Sequence, residues 1–481
     1  MDAALPRGLR FGNENISLPN EKIVPVSAVG TGIVVSSLTL FLQNGIYFFV
    51  CLVTILFIVH QSWRYGKPGI IVFAFLYQWI QVIAYAIWMS VNGFDINHLS
   101  NSAGIAILES CGGLLIMSSV MNWRISKIPR ITLAHLRSEA NKWDHKKILI
   151  YYAASSIFFN SVGMALSNDS GFAQVLVTFV AFKWVFFIMY GCLVFVGKGN
   201  KFIFIGIILF EFASGLYSYF SSFKEVLLYA IILSVSFIPK VSLKQLIRTL
   251  LIGASLLMIL LTWTVIKGKY REFLNQGTRK QVVSVSQSDA LSEMQYQISN
   301  LDWQQYQDAI NVFLYRTQYI YHLAKTMDRV PSVLPNEYGG MWLSNVLYVI
   351  TPRMFNPDKP IYQATLKTNK YTGLRYAGFK QGASFSLCYF ADSYVDFGHV
   401  LMYLPLILIA LFVTFIYFSL FKMKLNLIFR IAIIDVVLYN FIAFEADGTF
   451  LFGRLLTSFL TFWFFGRFVA PLLQRFAYKQ S

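Results

Sequence analysis

The sequence predicts an all-α, polytopic membrane protein of about twelve transmembrane helices, with a large, partly helical extracytoplasmic loop before the last three. Three observations lead there. Of 481 residues, 56% are hydrophobic and 13% charged, against about 25% charged in a soluble domain. So few charges cannot cover a polar surface, and the mean hydropathy of +0.57 agrees. The apolar residues fall in long runs rather than in the alternation of a membrane barrel. Basic residues, finally, crowd every second connection between the runs. A soluble enzyme, a disordered chain and a secreted disulfide scaffold are excluded.

The spans are expected to start near Pro25, Ile46, Gly69, Ala103, Ile148, Phe172, Phe202, Val226, Thr249, Val400, Ile428 and Thr449, each with close to the roughly 20 apolar residues a bilayer crossing needs. Gln43-Asn44-Gly45 marks a tight turn between the first two. The polar first 22 residues carry no small-residue cleavage site after a short apolar stretch, so no cleavable signal is expected.

Lysine and arginine collect on cytoplasmic loops. With the N-terminus inside, the inside connections hold Arg64 and Lys67; Arg124 to Lys147; Lys198 and Lys201; Lys240, Lys244 and Arg248; Lys422, Lys424 and Arg430; and Arg467, Arg475 and Lys479. The short outside connections, residues 43–45, 92–102, 168–171, 221–225 and 445–448, contain Lys224 as their single basic residue. Both termini are therefore expected inside, and the asymmetry accounts for most of the net charge of +17 without nucleic acid. Cys51, Cys111, Cys192 and Cys388 show no metal spacing.

Three regions follow: residues 1–266, an N-terminal transmembrane bundle of about nine spans; 267–399, the extracytoplasmic loop; and 400–481, about three C-terminal spans. Loops this long are usually functional. This one holds 14 basic and 10 acidic residues. Residues 295–329 read as one helix, ended by Pro331 and Pro335. Residues 341–350 form an apolar segment too short to span, read as re-entrant or interfacial. Residues 371–386 are rich in Gly, Tyr, Ser and Thr.

Pro352-Arg353-Met354-Phe355-Asn356-Pro357-Asp358-Lys359-Pro360 resembles the Pro-Arg-(x)-aromatic-(x)-Pro-Asp-Lys-Pro stretch of the Wzy-type O-antigen and exopolysaccharide repeat-unit polymerases, where it likewise follows a Trp-containing apolar segment. Tyr371-Thr372-Gly373, Gly378, Gly382, Ser384 and Asp396-Phe397-Gly398 resemble the same family, as does the late large outer loop. The sharp match covers about 60 residues. Some members have two large outer loops, whereas one is expected here. The resemblance implies a GT-C-like, inverting, metal-independent glycosyltransferase of the bacterial inner membrane that needs no cofactor. It would transfer a growing glycan from one undecaprenyl pyrophosphate to the repeat unit on another, facing the periplasm among membrane lipids, with a flippase and a chain-length regulator as partners. The alternatives are an O-antigen ligase-like enzyme, which passes the glycan to another acceptor, and a transporter or flippase of lipid-linked sugars.

That reaction needs cations for pyrophosphate and a base for the acceptor hydroxyl. Arginine suits pyrophosphate because its fork donates two parallel charge-assisted bonds. The substrate-binding candidates are Arg316, Arg353, Lys359, Arg375, Lys224 and Arg454, with Lys380 beside them. The catalytic candidates are Asp396, His399 and Glu445, with Asp392 and Asp447 at the same membrane level. Crowded carboxylates titrate upward, and histidine ordinarily titrates near neutrality. Composition alone also permits a divalent cation among these carboxylates. Asp396 reads equally well as a helix cap, and Arg454 as an ion-pair partner of Glu445 or Asp447. Glu109, Lys183, Glu211 and Asp435 lie within spans and suggest pairing, Lys183 with Glu211 or Glu109, or function. Trp303, Tyr306, Tyr362, Tyr371 and Tyr376 are candidates to line a glycan groove.

Overall fold

The computed structural model describes residues 23–129, 131–165, 178–217, 223–238, 243–277, 284–351, 356, 358–378 and 384–479. Their regular structure is helical, with no strand among the described residues and one isolated antiparallel bridge, Trp143 to Tyr478. The N-terminal region holds α1 (Val26–Ser37), α2 (Gly45–Ser62), α3 (Ile70–Val91), α4 (Ala103–Ile125), α5 (Leu133–Asn141), α6 (His145–Ala165), α7 (Phe182–Phe195), α8 (Lys201–Tyr217), α9 (Phe223–Phe237) and α10 (Leu243–Leu274). The loop region holds α11 (Gln287–Ser299), α12 (Trp303–Thr317), α13 (Ile320–Arg329), α14 (Gly340–Ile350), α15 (Ala364–Thr372) and α16 (Tyr389–Leu401). The C-terminal region holds α17 (Tyr403–Phe421), α18 (Leu427–Leu438), α19 (Gly448–Phe468) and α20 (Ala470–Ala477).

Among the described residues, six helices are long and apolar enough to cross a membrane: α2, α3, α4, Thr178–Phe195 (which includes α7), α17 and α19. The other expected spans fall on α1, α6, α8, α9, α10 and α18. Among these, α18 shows why hydropathy and architecture part company. It has 12 residues, continued by a 3-10 turn at Tyr439–Phe441. All of its residues except Arg430 are buried. A helix surrounded by protein need not present a full-length apolar face to lipid, so its length and its internal Asp435 escape the usual constraint. Asp435 accepts a hydrogen bond from the backbone N–H of Ile70 at 3.1 Å and so caps the start of α3.

The chain divides into two compact units: residues 1–199, 232–239 and 318–481 form the first; residues 200–231 and 240–317 form the second. In the first, the connections expected to be basic meet at one end. Gly66 N–H donates to Ser236 O at 2.8 Å, and Lys67 Nζ to Ile125 O at 2.9 Å. Arg137 Nε donates to Val196 O at 3.4 Å, Asp144 N–H to Ala477 O at 2.9 Å, and Asn426 Nδ2 to Glu139 O at 3.1 Å. The connections expected on the other side gather at the opposite end. Asn44 Nδ2 donates to Phe94 O at 3.0 Å, and Ser100 Oγ to the carboxylate of Asp328 at 2.6 Å. These two ends are called the basic end and the loop end below.

In the second unit, Phe223, Trp263, Ile266, Tyr270, Leu274, Ala290 and Met294 form a core under α9, α10 and α11. Thr262 and Tyr306 hydroxyls meet at 3.0 Å and tie α12 to α10.

The single helix expected over residues 295–329 is broken twice, giving α11, α12 and α13. The first break is a capping box: Asp302 accepts from Gln305 N–H at 2.8 Å while the Gln305 side chain accepts from Asp302 N–H at 3.0 Å. Such a box starts a new helix rather than continuing an old one. The second break, at Gln318 and Tyr319, falls where the chain passes from the second unit to the first. The short apolar segment expected at 341–350 is α14, started by Gly339 at φ +96°. Met341 and Asn345 face inward, while Leu343, Leu347 and Ile350 are exposed.

Candidate functional site

Helix α16 gathers the polar groups of the loop end. Asp392, Ser393 and Asp396 on it are fully buried. Asp396 accepts the backbone N–H of Met341 at 2.8 Å on one oxygen and that of Trp342 at 2.9 Å on the other. Its carboxylate therefore completes the first turn of α14, where unsatisfied N–H groups and the helix dipole favour an anion. Burial pushes its carboxyl up, and these backbone bonds pull the other way. The cap belongs to α14 rather than to the helix that follows Asp396, and it makes Asp396 a positioning residue.

One turn earlier, Asp392 sits in a buried network. Its Oδ2 accepts from Lys367 Nζ at 2.8 Å, from Asn345 Nδ2 at 2.8 Å and from Gly448 N–H at 2.7 Å. Lys367 also lies 3.7 Å from Asp447 and donates to Asn345 Oδ1 at 3.1 Å. Asp447 caps α19 by accepting Phe450 N–H at 3.0 Å, and it receives the Tyr362 hydroxyl on its other oxygen. Thr449 Oγ1 donates to Asn345 Oδ1 at 2.8 Å. One ammonium thus joins α14, α15, α16 and α19. Burial pushes the Asp392 carboxyl up to about 6, against the opposing pull of Lys367. Burial would lower Lys367, but Asp392 and then Asp447 outweigh it and hold the amine above its ordinary value.

Gly398, at φ +69° and ψ −161°, turns the chain at the end of this helix. His399 follows, half exposed, with its Nδ1 2.7 Å from Glu109 Oε1 on α4. Its Nε2 lies 3.4 Å from the Tyr394 hydroxyl. Tyr403 OH donates to Glu109 O at 3.4 Å. A carboxylate on Nδ1 fixes the imidazole's orientation and leaves Nε2 to accept a proton, the arrangement that activates hydroxyl groups elsewhere.

The remaining expected residues are placed as follows. Glu445 accepts from Gln81 Nε2 at 2.5 Å, and burial pushes it up. The Arg454 guanidinium lies 5.3 Å from the centre of the Phe450 ring, is exposed, and forms no ion pair with Glu445 or Asp447 among the described residues. Lys359 donates to Tyr348 O and, at 2.9 Å, to Thr351 O, which closes the C-terminal end of α14. Arg375 is exposed. Arg353 and Lys380 lie outside the described residues. Lys224 and Arg316 both belong to the second unit, where they come close enough to each other, and to Lys267 and Arg271, to lower the lysines.

Of the intraspan ions, Glu109 is paired with His399 rather than with Lys183, whose ammonium lies 4.6 Å from the centre of the Trp184 ring. Among the expected groove aromatics, Trp303 is exposed. The hydroxyls of Tyr306, Tyr362, Tyr371 and Tyr376 are engaged with Thr262, Asp447, Glu337 and His322.

Sequence reasoning missed Lys367 and Asn345. Nothing local marks them, because their partners lie 25 and 47 positions away. The lysine-arginine pair at Lys267 and Arg271, one turn apart just past an apolar run, was visible in the sequence as a same-face pair.

Fold and site together define a helical protein, with helices long and apolar enough to cross a membrane, whose loop end is organised around buried carboxylates. Residues 125–470 match the model of a family described as a domain of unknown function (DUF8712), and the chain belongs to that family. No curated protein and no solved structure matches the chain.

Proposed function

We propose that this protein is a twelve-pass, GT-C-like glycosyltransferase of the bacterial inner membrane. It polymerises undecaprenyl-pyrophosphate-linked repeat units, with the basic end in the cytoplasm and the loop end in the periplasm. The observation that carries the mechanism is the His399–Glu109 pair: a half-exposed imidazole oriented by a carboxylate at 2.7 Å. The motif that suggests the substrate follows α14 in the sequence.

In this reading the acceptor sugar hydroxyl gives its proton to His399 Nε2 as its oxygen attacks the anomeric carbon of the donor. Glu109 stabilises the imidazolium that forms. The bond from the anomeric carbon to the pyrophosphate oxygen breaks with inversion, and Arg353 takes the leaving pyrophosphate in its bidentate fork. Lys359 fastens its own segment to the C-terminal end of α14. No cofactor or metal enters the scheme.

The test is a glycan ladder in cells, together with turnover of purified protein on lipid-linked repeat units. His399→Ala is expected to cut turnover about 100-fold or more, the scale of losing a general base. Glu109→Gln should cut it less. Arg353→Ala should abolish polymer at unchanged protein level, and Arg353→Lys should rescue it in part. A normal ladder from His399→Ala removes the proposed base. Transfer to lipid A-core without polymer growth selects the ligase reading instead.

A further inference from the structure

We infer that Arg454 binds the phosphate group of a membrane lipid at the loop end of α19, with the rings of Phe450, Tyr362 and Tyr348 forming a strip beside it. Arg454 is the one charged residue of α19 before Arg467 in its last turn. At about 1.5 Å per residue it lies about 9 Å below the start of the helix at Gly448. Its side chain is exposed. The guanidinium carbon stands 5.3 Å from the centre of the Phe450 ring, one turn nearer the start of α19. The charge therefore leans towards the loop end, the direction in which helical side chains tilt.

The neighbouring carboxylates are engaged elsewhere. Glu445 feels the charge of Arg454, but its hydrogen-bond partner is Gln81, at 2.5 Å. Asp447 accepts Phe450 N–H on one oxygen and the Tyr362 hydroxyl on the other, and it stands 3.7 Å from Lys367. Arg454 forms no ion pair with either among the described residues. An exposed guanidinium in an apolar span is costly until an anion or the interface receives it. Its planar fork donates two parallel charge-assisted bonds, which suits a phosphate.

The setting selects a lipid. Phe450 meets the Tyr362 ring edge-on at 5.3 Å, and Tyr362 meets the Tyr348 ring at 5.3 Å. Lys359 Nζ closes the far end of this strip, 3.7 Å from the centre of the Tyr348 ring, while it donates to the carbonyls of Tyr348 and Thr351. Further down α19, Leu460, Trp463, Phe464 and Phe468 are exposed, an apolar flank on which a hydrocarbon chain can lie. A phosphate on Arg454 with its chain running down α19 satisfies both features. A glycerophospholipid and an isoprenoid pyrophosphate share this chemistry. The inference is independent of the glycosyl-transfer reading, because it uses neither His399 nor Glu109.

The test is lipid binding by the full-length protein in neutral detergent, read by native mass spectrometry as occupancy of the tightest-bound lipid. The proteins are wild type, Arg454→Lys and Arg454→Gln. The probes are phosphatidylglycerol, an isoprenoid pyrophosphate and diacylglycerol, which has no phosphate, with inorganic pyrophosphate as a competitor. Wild type should bind a phosphate-bearing lipid at least ten-fold more tightly than diacylglycerol, and whichever of the two acts at lower concentration identifies the source of the phosphate. Arg454→Gln should weaken that binding at least ten-fold and Arg454→Lys by less, both with a melting temperature close to wild type because the side chain is exposed. Unchanged binding by Arg454→Gln would leave the arginine as a side chain that only reaches for the interface and would overturn the inference. Equal binding of diacylglycerol would overturn it too, because apolar contact alone would then hold the lipid. Displacement of the lipid by an equal concentration of inorganic pyrophosphate would assign the site to a soluble anion and overturn its lipid part.

Discussion

At the scale of single residues, Lys367 is the group on which the loop end depends most. Its ammonium stands between two carboxylates that are otherwise removed from water. Removing one partner of a buried charge cluster costs about 3–5 kcal/mol, because the remaining charges are left uncompensated. Lys367→Met should therefore lower the melting temperature sharply, and Lys367→Met/Asp392→Asn should recover part of the loss. The pH dependence has a definite sign. Burial raises the Asp392 carboxyl to about 6 in the folded protein, above its ordinary 3.8. Its contribution is fully present below about 4 and is lost as the pH rises through about 6. Without Lys367 the carboxylate is still harder to ionise, so Lys367→Met should be more destabilised at pH 8 than at pH 5. Melting curves at the two pH values decide this, and equal losses would show that Lys367 does not neutralise Asp392.

At the scale of elements, two glycines set how the helices meet. Gly398 occupies a backbone region, φ positive with ψ near 180°, that is open essentially to glycine alone. The turn it makes swings His399 out of the α16 face and towards Glu109 on α4. Gly398→Ala should cost about 1–3 kcal/mol of stability, and should lower turnover further than that loss explains by separating the pair. Gly448 lets α14 approach α19: a Cβ there would stand 2.4 Å from Asn345 Nδ2 and 2.8 Å from the Trp342 ring. Gly448→Ala should therefore destabilise by about 1–3 kcal/mol, read by thermal unfolding; an unchanged melting temperature would mean the two helices are free to separate. Asp396 and Lys359 hold opposite ends of α14, one at its N–H groups and one at its carbonyls. Parts of the Asp-Phe-Gly and Pro-Asp-Lys-Pro stretches thus have a mechanical explanation whatever chemistry they serve.

At the scale of the whole molecule, the separation of a basic end from a loop end predicts sidedness. The four cysteines are buried, so the wild-type background for an impermeant thiol reagent is low. In intact spheroplasts Tyr338→Cys, at an 82% exposed position of the loop end, should be labelled. Lys146→Cys, exposed at the basic end, should be labelled only after permeabilisation. The opposite pattern would invert the topology and remove the periplasmic reading of the His399 site.

The sequence by itself determined the class of structure, the order of its segments and which connections share an end, because apolar run length and the placement of lysine and arginine are local, additive signals. It also located α14 and marked His399 and Glu109 as unusual, each for its own reason. Only the tertiary structure decided that these two form a pair, that Asp396 serves a helix start 55 positions away, and that Lys367 links two buried aspartates. It also brought Lys224 and Arg316, separated by most of a hundred residues, to one cluster with Lys267 and Arg271. The physical reason is that the energy of a buried charge depends on the few groups within several ångströms, and in a folded helical bundle those groups come from elements far apart along the chain.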